Sequence, residues 1–401
     1  MLPRATSQTM PRWQLSAMLA TPLRVQLVVG GLCWLALSVW WWLSWAGATV
    51  LRPDLHGLLM VWGFLPPFVA GFLAAVRPRW LDLPVPDSSR WRTWALVHMG
   101  GVLAVLASSR LPPLLILGMG ALALALMVWS LDHARACAIS QSQDRLHAVA
   151  VGVSLGVLML TIGWATAALL SAPGPGLHAA ILAGFWGGLL PCFVVALDRM
   201  TALVRPWLGW VLALLLLRAG TAGADPATDL PLLRCASGTI QLTMGLALLA
   251  SGLDRRRQPR RHNRVTGWTL VAAAWGSVGL LLDGMGLLCR WPMGNSLALH
   301  VLALGFMGGL WLTMGSRAAA AEIGRAQALS AAEWWLLVLL QAVVILRVLA
   351  AWPAMPASLT TWAAGALALL AWAWCAHWAR LLGESSLNER PPASYWGQTP
   401  R

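Results

Sequence analysis

The sequence predicts an all-α integral membrane protein of about twelve transmembrane helices, arranged as three pseudo-repeated four-helix units. Three observations carry this reading. Only 10% of the 401 residues are charged and 59% are hydrophobic, where a soluble domain carries about a quarter charged residues. Twelve apolar stretches approach or reach the length needed to cross a hydrocarbon core of about 30 Å. His56, His178 and His300 each follow a leucine, open a glycine-interrupted apolar stretch and stand 122 residues from the next. Equal spacing of like-placed residues marks an internal repeat, and the pattern continues downstream. Arg77 and Arg199 each lie 21 residues after their histidine, and Arg317 lies 17 after His300.

In chain order the segments run over 24–46, 57–76, 94–109, 112–131, 147–170, 177–198, 205–220, 231–253, 265–288, 295–316, 332–351 and 358–380. Segments three, four and seven are the least secure as spans, because Arg110, Pro112 and Pro113 or the short run before Arg218 cut them close to minimum length. A period of 122 residues holds four spans, so segments one, five and nine correspond, as do two, six and ten. The units occupy 24–131, 147–253 and 265–381 of a single membrane domain over 24–381, flanked by tails at 1–23 and 382–401. Each spaced histidine then heads the second helix of its unit.

All 28 basic residues are arginine. Six of them, Arg52, Arg110, Arg218, Arg234, Arg290 and Arg347, fall on one face or inside segment eleven, and the other 22 lie in tails and loops of the opposite face. By the positive-inside rule the arginine-rich face is cytoplasmic and carries both termini, which requires an even number of spans. Topology thereby accounts for the net charge of +14. The run Arg255-Arg256-Arg257-Gln258-Pro259-Arg260-Arg261 sits in a loop between spans, where anionic lipid is a sufficient partner and nucleic acid is not expected. The first apolar run is long enough to span and is read as a helix, not a cleavable signal. Trp40, Trp41, Trp42 and Trp45 fall near the outer end of segment one, where amphipathic rings anchor at headgroup level. Six cysteines are scattered without CxxC or CxxCH, so neither a structural zinc site nor covalent haem attachment is expected.

Because segments two, six and ten run in the same direction, His56, His178 and His300 share the extracytoplasmic side. Imidazole at the edge of a bilayer faces the protein interior, where it binds metal, haem or another polar group, or bonds to backbone. Glycines beside the histidines, Gly63, Gly71, Gly184, Gly187, Gly188, Gly305, Gly308, Gly309 and Gly315, leave room for a flat macrocycle or a second helix. Pro66-Pro67 and Pro191 remove amide donors and are expected to kink their helices. Asp283 and Arg347, charged residues inside apolar segments, are candidates for a mutual ion pair; Arg347 is equally suited to a haem propionate. His98, His133, His147, His262 and His377 lie nearer the arginine-rich face and are read as structural or solvated.

The stretch His56-Gly57-Leu58-Leu59-Met60-Val61-Trp62-Gly63-Phe64, with Ala70-Gly71-Phe72-Leu73 and Pro78-Arg79-Trp80, resembles the N-terminal motif of NnrS proteins. Gly176-Leu177-His178 with Gly187-Gly188-Leu189-Leu190-Pro191-Cys192-Phe193, Leu297-Ala298-Leu299-His300 through Gly308-Gly309 to Met314-Gly315-Ser316-Arg317, and Ile345-Leu346-Arg347-Val348 extend the resemblance in order over nearly the whole chain. It implies a bacterial inner-membrane protein of twelve helices, containing haem and copper and linked to nitric oxide tolerance and denitrification. The family's HxHE pattern appears here as His56-Gly57-Leu58-Leu59, short of one imidazole and one carboxylate. The layout is also similar to the catalytic subunit of haem-copper oxidases, in which helices two and ten supply both axial ligands of a haem. By that likeness His56 and His300 hold the iron of a non-covalent, b-type haem, and His178 occupies the helix that contributes a copper ligand. Segment seven offers no histidine for copper and lysine is absent, so oxygen reduction is not expected. A transporter built from repeats, and a structural or assembly protein without cofactor, are the alternatives from other classes; a transporter places its polar site near the midplane, whereas here the polar residues gather at one end.

Overall fold

A computed structural model describes residues 13–84, 86–143, 145–171, 174–222, 230–257, 264–291, 294–323, 325, 329–352 and 354–383. The outer parts of both tails, and residues 258–263 with the end of the basic run and His262, lie outside the described residues. Within them there is no strand. Twelve helical rods follow one another, one for each expected segment: α1 (Pro22–Trp45), α2 (Pro53–Trp80), α3 (Ser88–Ala107), α4 (Pro113–Ile139), α5 (Leu146–Ser171), α6 (Pro175–Thr201), α7 (Leu208–Ala222), α8 (Pro231–Arg257), α9 (Arg264–Cys289), α10 (Gly294–His300, Val301–Gly308 and Gly309–Glu322 in direct succession), α11 (Ala331–Ala350) and α12 (Ser358–Gly383).

Local chemistry sets the starts. Proline stands at the first position of α1, α2, α4, α6 and α8, where its missing amide is one of the helix's orphan donors and its φ is already helical. Thr21 caps α1 by accepting from the Arg24 amide at 3.2 Å. At α11 Ser330 and Glu333 form a reciprocal capping box. Ten of the rods are long and apolar enough to cross a membrane; α3 and α7 are not among them. Helix α7 has 15 residues, which at 1.5 Å per residue spans about 22 Å, short of the hydrocarbon thickness. Helix α3 carries Arg90 and Arg92 in its first turns. Of segments three, four and seven, the fourth grows into a full 27-residue helix, Pro113–Ile139, which begins on Pro113 and continues past 131 through Asp132, His133 and Arg135.

The second rod of each successive group of four is the inner one. In α2, α6 and α10 respectively 78%, 83% and 67% of the apolar window is buried, against at most 50% in any other spanning helix. These three share a further feature: each changes to π-helical hydrogen bonding, at Met60–Phe64, Phe185–Leu189 and Val301–Gly308. Where a kink was expected at Pro66-Pro67 and Pro191, the π turn sits immediately upstream, widening the helix so that the prolines' missing amides fall where the regular ladder is already interrupted. Helix α12 returns to pack along α1, so the last rod lies against the first.

Candidate functional site

Near the N-terminal ends of α2 and α10 an open cleft of about 150 Å³ is lined by Trp41, His56, Gly57, Ile181, Phe185, His300 and Arg347 together with residues of α11 and α12. Residues 244 positions apart in sequence meet here. The His56 and His300 ring centroids are 6.4 Å apart with planes inclined by only 12°. Trp41 stacks on His56, centroid to centroid 3.9 Å at 14°. Read from sequence as an interfacial anchor, Trp41 is thus a wall of the site, and the pattern Trp40-Trp41-Trp42 gave no sign of which ring turns inward.

The two imidazoles differ in what holds them. His300 Nδ1 lies 2.7 Å from the Ser296 carbonyl, one helical turn back, and a carbonyl can only accept, so Nδ1 bears the proton and Nε2 keeps its lone pair. Arg347 Nη2 is 3.4 Å from the same Nδ1. A protonated Nδ1 has nothing to accept with, so Arg347 stands as a cation beside the ring and not as its hydrogen-bond donor. Among the described residues no carboxylate pairs with Arg347. His56 Nδ1 is buried with no hydrogen-bond partner, and an unsatisfied buried polar atom costs about 1–3 kcal/mol. A half-buried cation without a counter-anion and two facing, nearly parallel imidazoles, one with an orphan nitrogen, fit a group that brings a metal and an acid.

His178 is not part of this pair. It lies in the first turn of α6, exposed, and does not line the cleft; Ile181 and Phe185, on the same helical face but one and two turns further along, do. Among the described residues no three of His, Cys, Asp and Glu converge on a metal-sized site. The expected Asp283–Arg347 ion pair is corrected: Asp283 is held by Arg218, Nε to Oδ2 at 2.9 Å and Nη2 to Oδ1 at 3.0 Å. Both partners are buried, and the Arg218 guanidinium also lies 5.0 Å from the Trp186 ring centroid. Helix α7 is too short to carry Arg218 out to water, so the side chain takes the nearest buried acid; this leaves Arg347 to the cleft.

The glycines flanking the histidines mostly serve helix packing. A Cβ on Gly305 would stand 2.6 Å from Trp275 Cγ, and one on Gly184 would stand 2.9 Å from Trp62 Cζ2. Gly57 is the exception that faces the cleft. Sequence reasoning also missed the role of His98, buried on α3, whose Nε2 donates to the Gly63 carbonyl at 2.5 Å. That carbonyl lies in the π turn of α2, where widening releases backbone acceptors from the ladder. A histidine opposite a Gly-containing, proline-followed stretch was the only available signal.

Fold and site together define a polytopic all-helical membrane protein with a paired-histidine cleft. The chain belongs to the NnrS protein family, whose model matches residues 17–385, most of its length. No curated protein matches it.

Proposed function

We propose that the protein binds one non-covalent haem in this cleft, with His56 and His300 as the iron ligands and Arg347 as the partner of a propionate, and that it serves in the nitric oxide response of a bacterial inner membrane. The observation that carries the reading is the His56–His300 pair, brought to 6.4 Å from opposite ends of the chain. When bound, a bis-imidazole haem supplies reversible one-electron chemistry whose potential its axial ligands and surroundings set. The chain's own residues supply the rest. Ser296 fixes the His300 tautomer so that Nε2 can donate to a metal, and Trp41 packs flat against His56 and limits its rotation. Arg347 sets a positive charge beside the pair, which favours the more reduced, less positive state of any bound metal. The arginine-rich face, with both termini, is cytoplasmic in this reading, which puts the cleft on the far side.

Copper is the weaker half of the family's implied content here, because His178 stands apart and the second imidazole and the carboxylate of HxHE are missing. Purified protein is expected to show a Soret band with about one iron per chain and copper well below one. In His56→Ala or His300→Ala the band falls to a small fraction of wild type, whereas in His178→Ala it is unchanged. A wild-type protein without a stoichiometric Soret band overturns the proposal and favours the cofactor-less alternative.

A further inference from the structure

A second cavity, about 480 Å³, lies at the opposite, arginine-rich end, between α8, α9 and the start of α11. It belongs to no part of the histidine cleft. Its mouth holds two exposed arginines, Arg256 at the end of α8 and Arg264 at the start of α9. Among the described lining residues these two arginines are the only charged ones, so the mouth is positive. Below it the walls are apolar, with Leu249, Leu253 and Val271 from the two helices and Trp268 and Trp334 set edge to face, centroids 6.2 Å apart. The one hydroxyl on the floor, Ser277, is already bonded to the Ala273 carbonyl at 3.1 Å. Gly252 and Gly267 line the space, and a Cβ on either would meet nothing within 4 Å. Unlike the packing glycines, these two hold a gap open.

We infer that this cavity is a site for one anionic phospholipid drawn from the surrounding bilayer, its phosphate between Arg256 and Arg264 and an acyl chain along the groove that Gly252 and Gly267 leave open. A cationic mouth over an apolar slot matches the amphiphile in both charge and polarity, and basic pockets between spanning helices are suited to anionic headgroups. Two indole rings at the boundary between the charged and apolar parts suit the headgroup level. Specificity for anionic lipid comes from the arginines and occupancy from the slot, so the two can be separated. An arginine near a membrane surface contributes about fivefold in affinity for anionic lipid, and two about 30-fold.

The test is native mass spectrometry of the full chain in mild detergent, titrated with phosphatidylglycerol or with phosphatidylcholine of the same chains, alongside melting curves with each lipid and with inorganic phosphate. We expect one retained phosphatidylglycerol and a raised melting temperature that neither phosphatidylcholine nor phosphate reproduces. Arg256→Gln with Arg264→Gln is expected to reduce the preference for phosphatidylglycerol by roughly 30-fold. Gly267→Leu is expected to reduce retention of either lipid at least tenfold with unchanged melting in lipid-free detergent; Gly252→Leu is the second variant should the first fail to fold. Equal retention of the two lipids, retention indifferent to the glycine variants, or equal protection by inorganic phosphate overturns the inference. None of these outcomes depends on haem, which the Soret band reports separately.

Discussion

Arg218 and Asp283 show what a buried charge demands at the scale of a residue. The bidentate pair joins α7 to α9 in a setting where each partner is nearly inaccessible. Removing one charge from such a pair costs about 3–5 kcal/mol, because the other stays buried and unpaired, whereas replacing both by apolar residues of similar volume is close to neutral. Asp283→Leu is therefore expected to lower stability by about that amount, and the double variant Arg218→Met with Asp283→Leu to recover most of it. Thermal unfolding in detergent measures both. A double variant as unstable as the single one means that the pair does more than neutralise itself. The pair also explains a misreading. Sequence spacing showed two charges inside apolar segments, Asp283 and Arg347, and joined them, because Arg218 sat at the edge of a short segment where it seemed free to reach water.

At the scale of the element, the three inner helices combine two roles for glycine that sequence could not separate. In α10 a Cβ on Gly305 would intrude on Trp275, so Gly305→Ala must push α10 from α9, and overpacking of this kind costs about 1–3 kcal/mol. Gly156 in α5 has nothing within 4 Å of the same position, and there alanine only removes backbone freedom, for a gain of about 0.5–1 kcal/mol. Opposite shifts in melting temperature are the expected outcome, and a neutral Gly305→Ala would show that the helices can part without cost. Helix existence and order were legible because apolar length and proline placement are local signals: all twelve rods lie where the segments were drawn. The π turns were not, since a change from one hydrogen-bond pattern to another leaves no periodicity in an all-apolar run. Proline pointed to disturbance at Pro66-Pro67 and Pro191, and nothing but glycine marked the turn at Val301–Gly308.

For the whole molecule, the three rods headed by the spaced histidines, α2, α6 and α10, are also the three most buried of the spanning helices among the described residues. His56 and His300 converge because their helices bring the same end to the same cleft, and the 122-residue spacing foreshadowed the shared end. It could not foreshadow that His178 stays exposed in the first turn of α6 while Ile181 and Phe185 line the cleft, because equal spacing in sequence does not fix how far each helix end projects beyond its neighbours. Which end faces the cytoplasm is a separate matter, expected from the arginine bias, and it is open to experiment through the native cysteines. Cys235, near the start of α8, and Cys289, at the end of α9, are both exposed, whereas the other four are buried or half-buried. Both lie at the arginine-poor end, opposite the hairpin that carries Arg256 and Arg264. If the arginine-rich face is cytoplasmic, a membrane-impermeant maleimide added to cells with permeabilised outer membranes labels Cys235 and Cys289. The same reagent leaves a cysteine placed at Arg256 in a Cys235→Ser, Cys289→Ser background unlabelled until the inner membrane is opened. The reverse pattern would invert the topology and move the histidine cleft to the cytoplasmic side. Because α8 and α9 are both long enough to cross, the result does not depend on whether the shorter α3 and α7 reach across the bilayer.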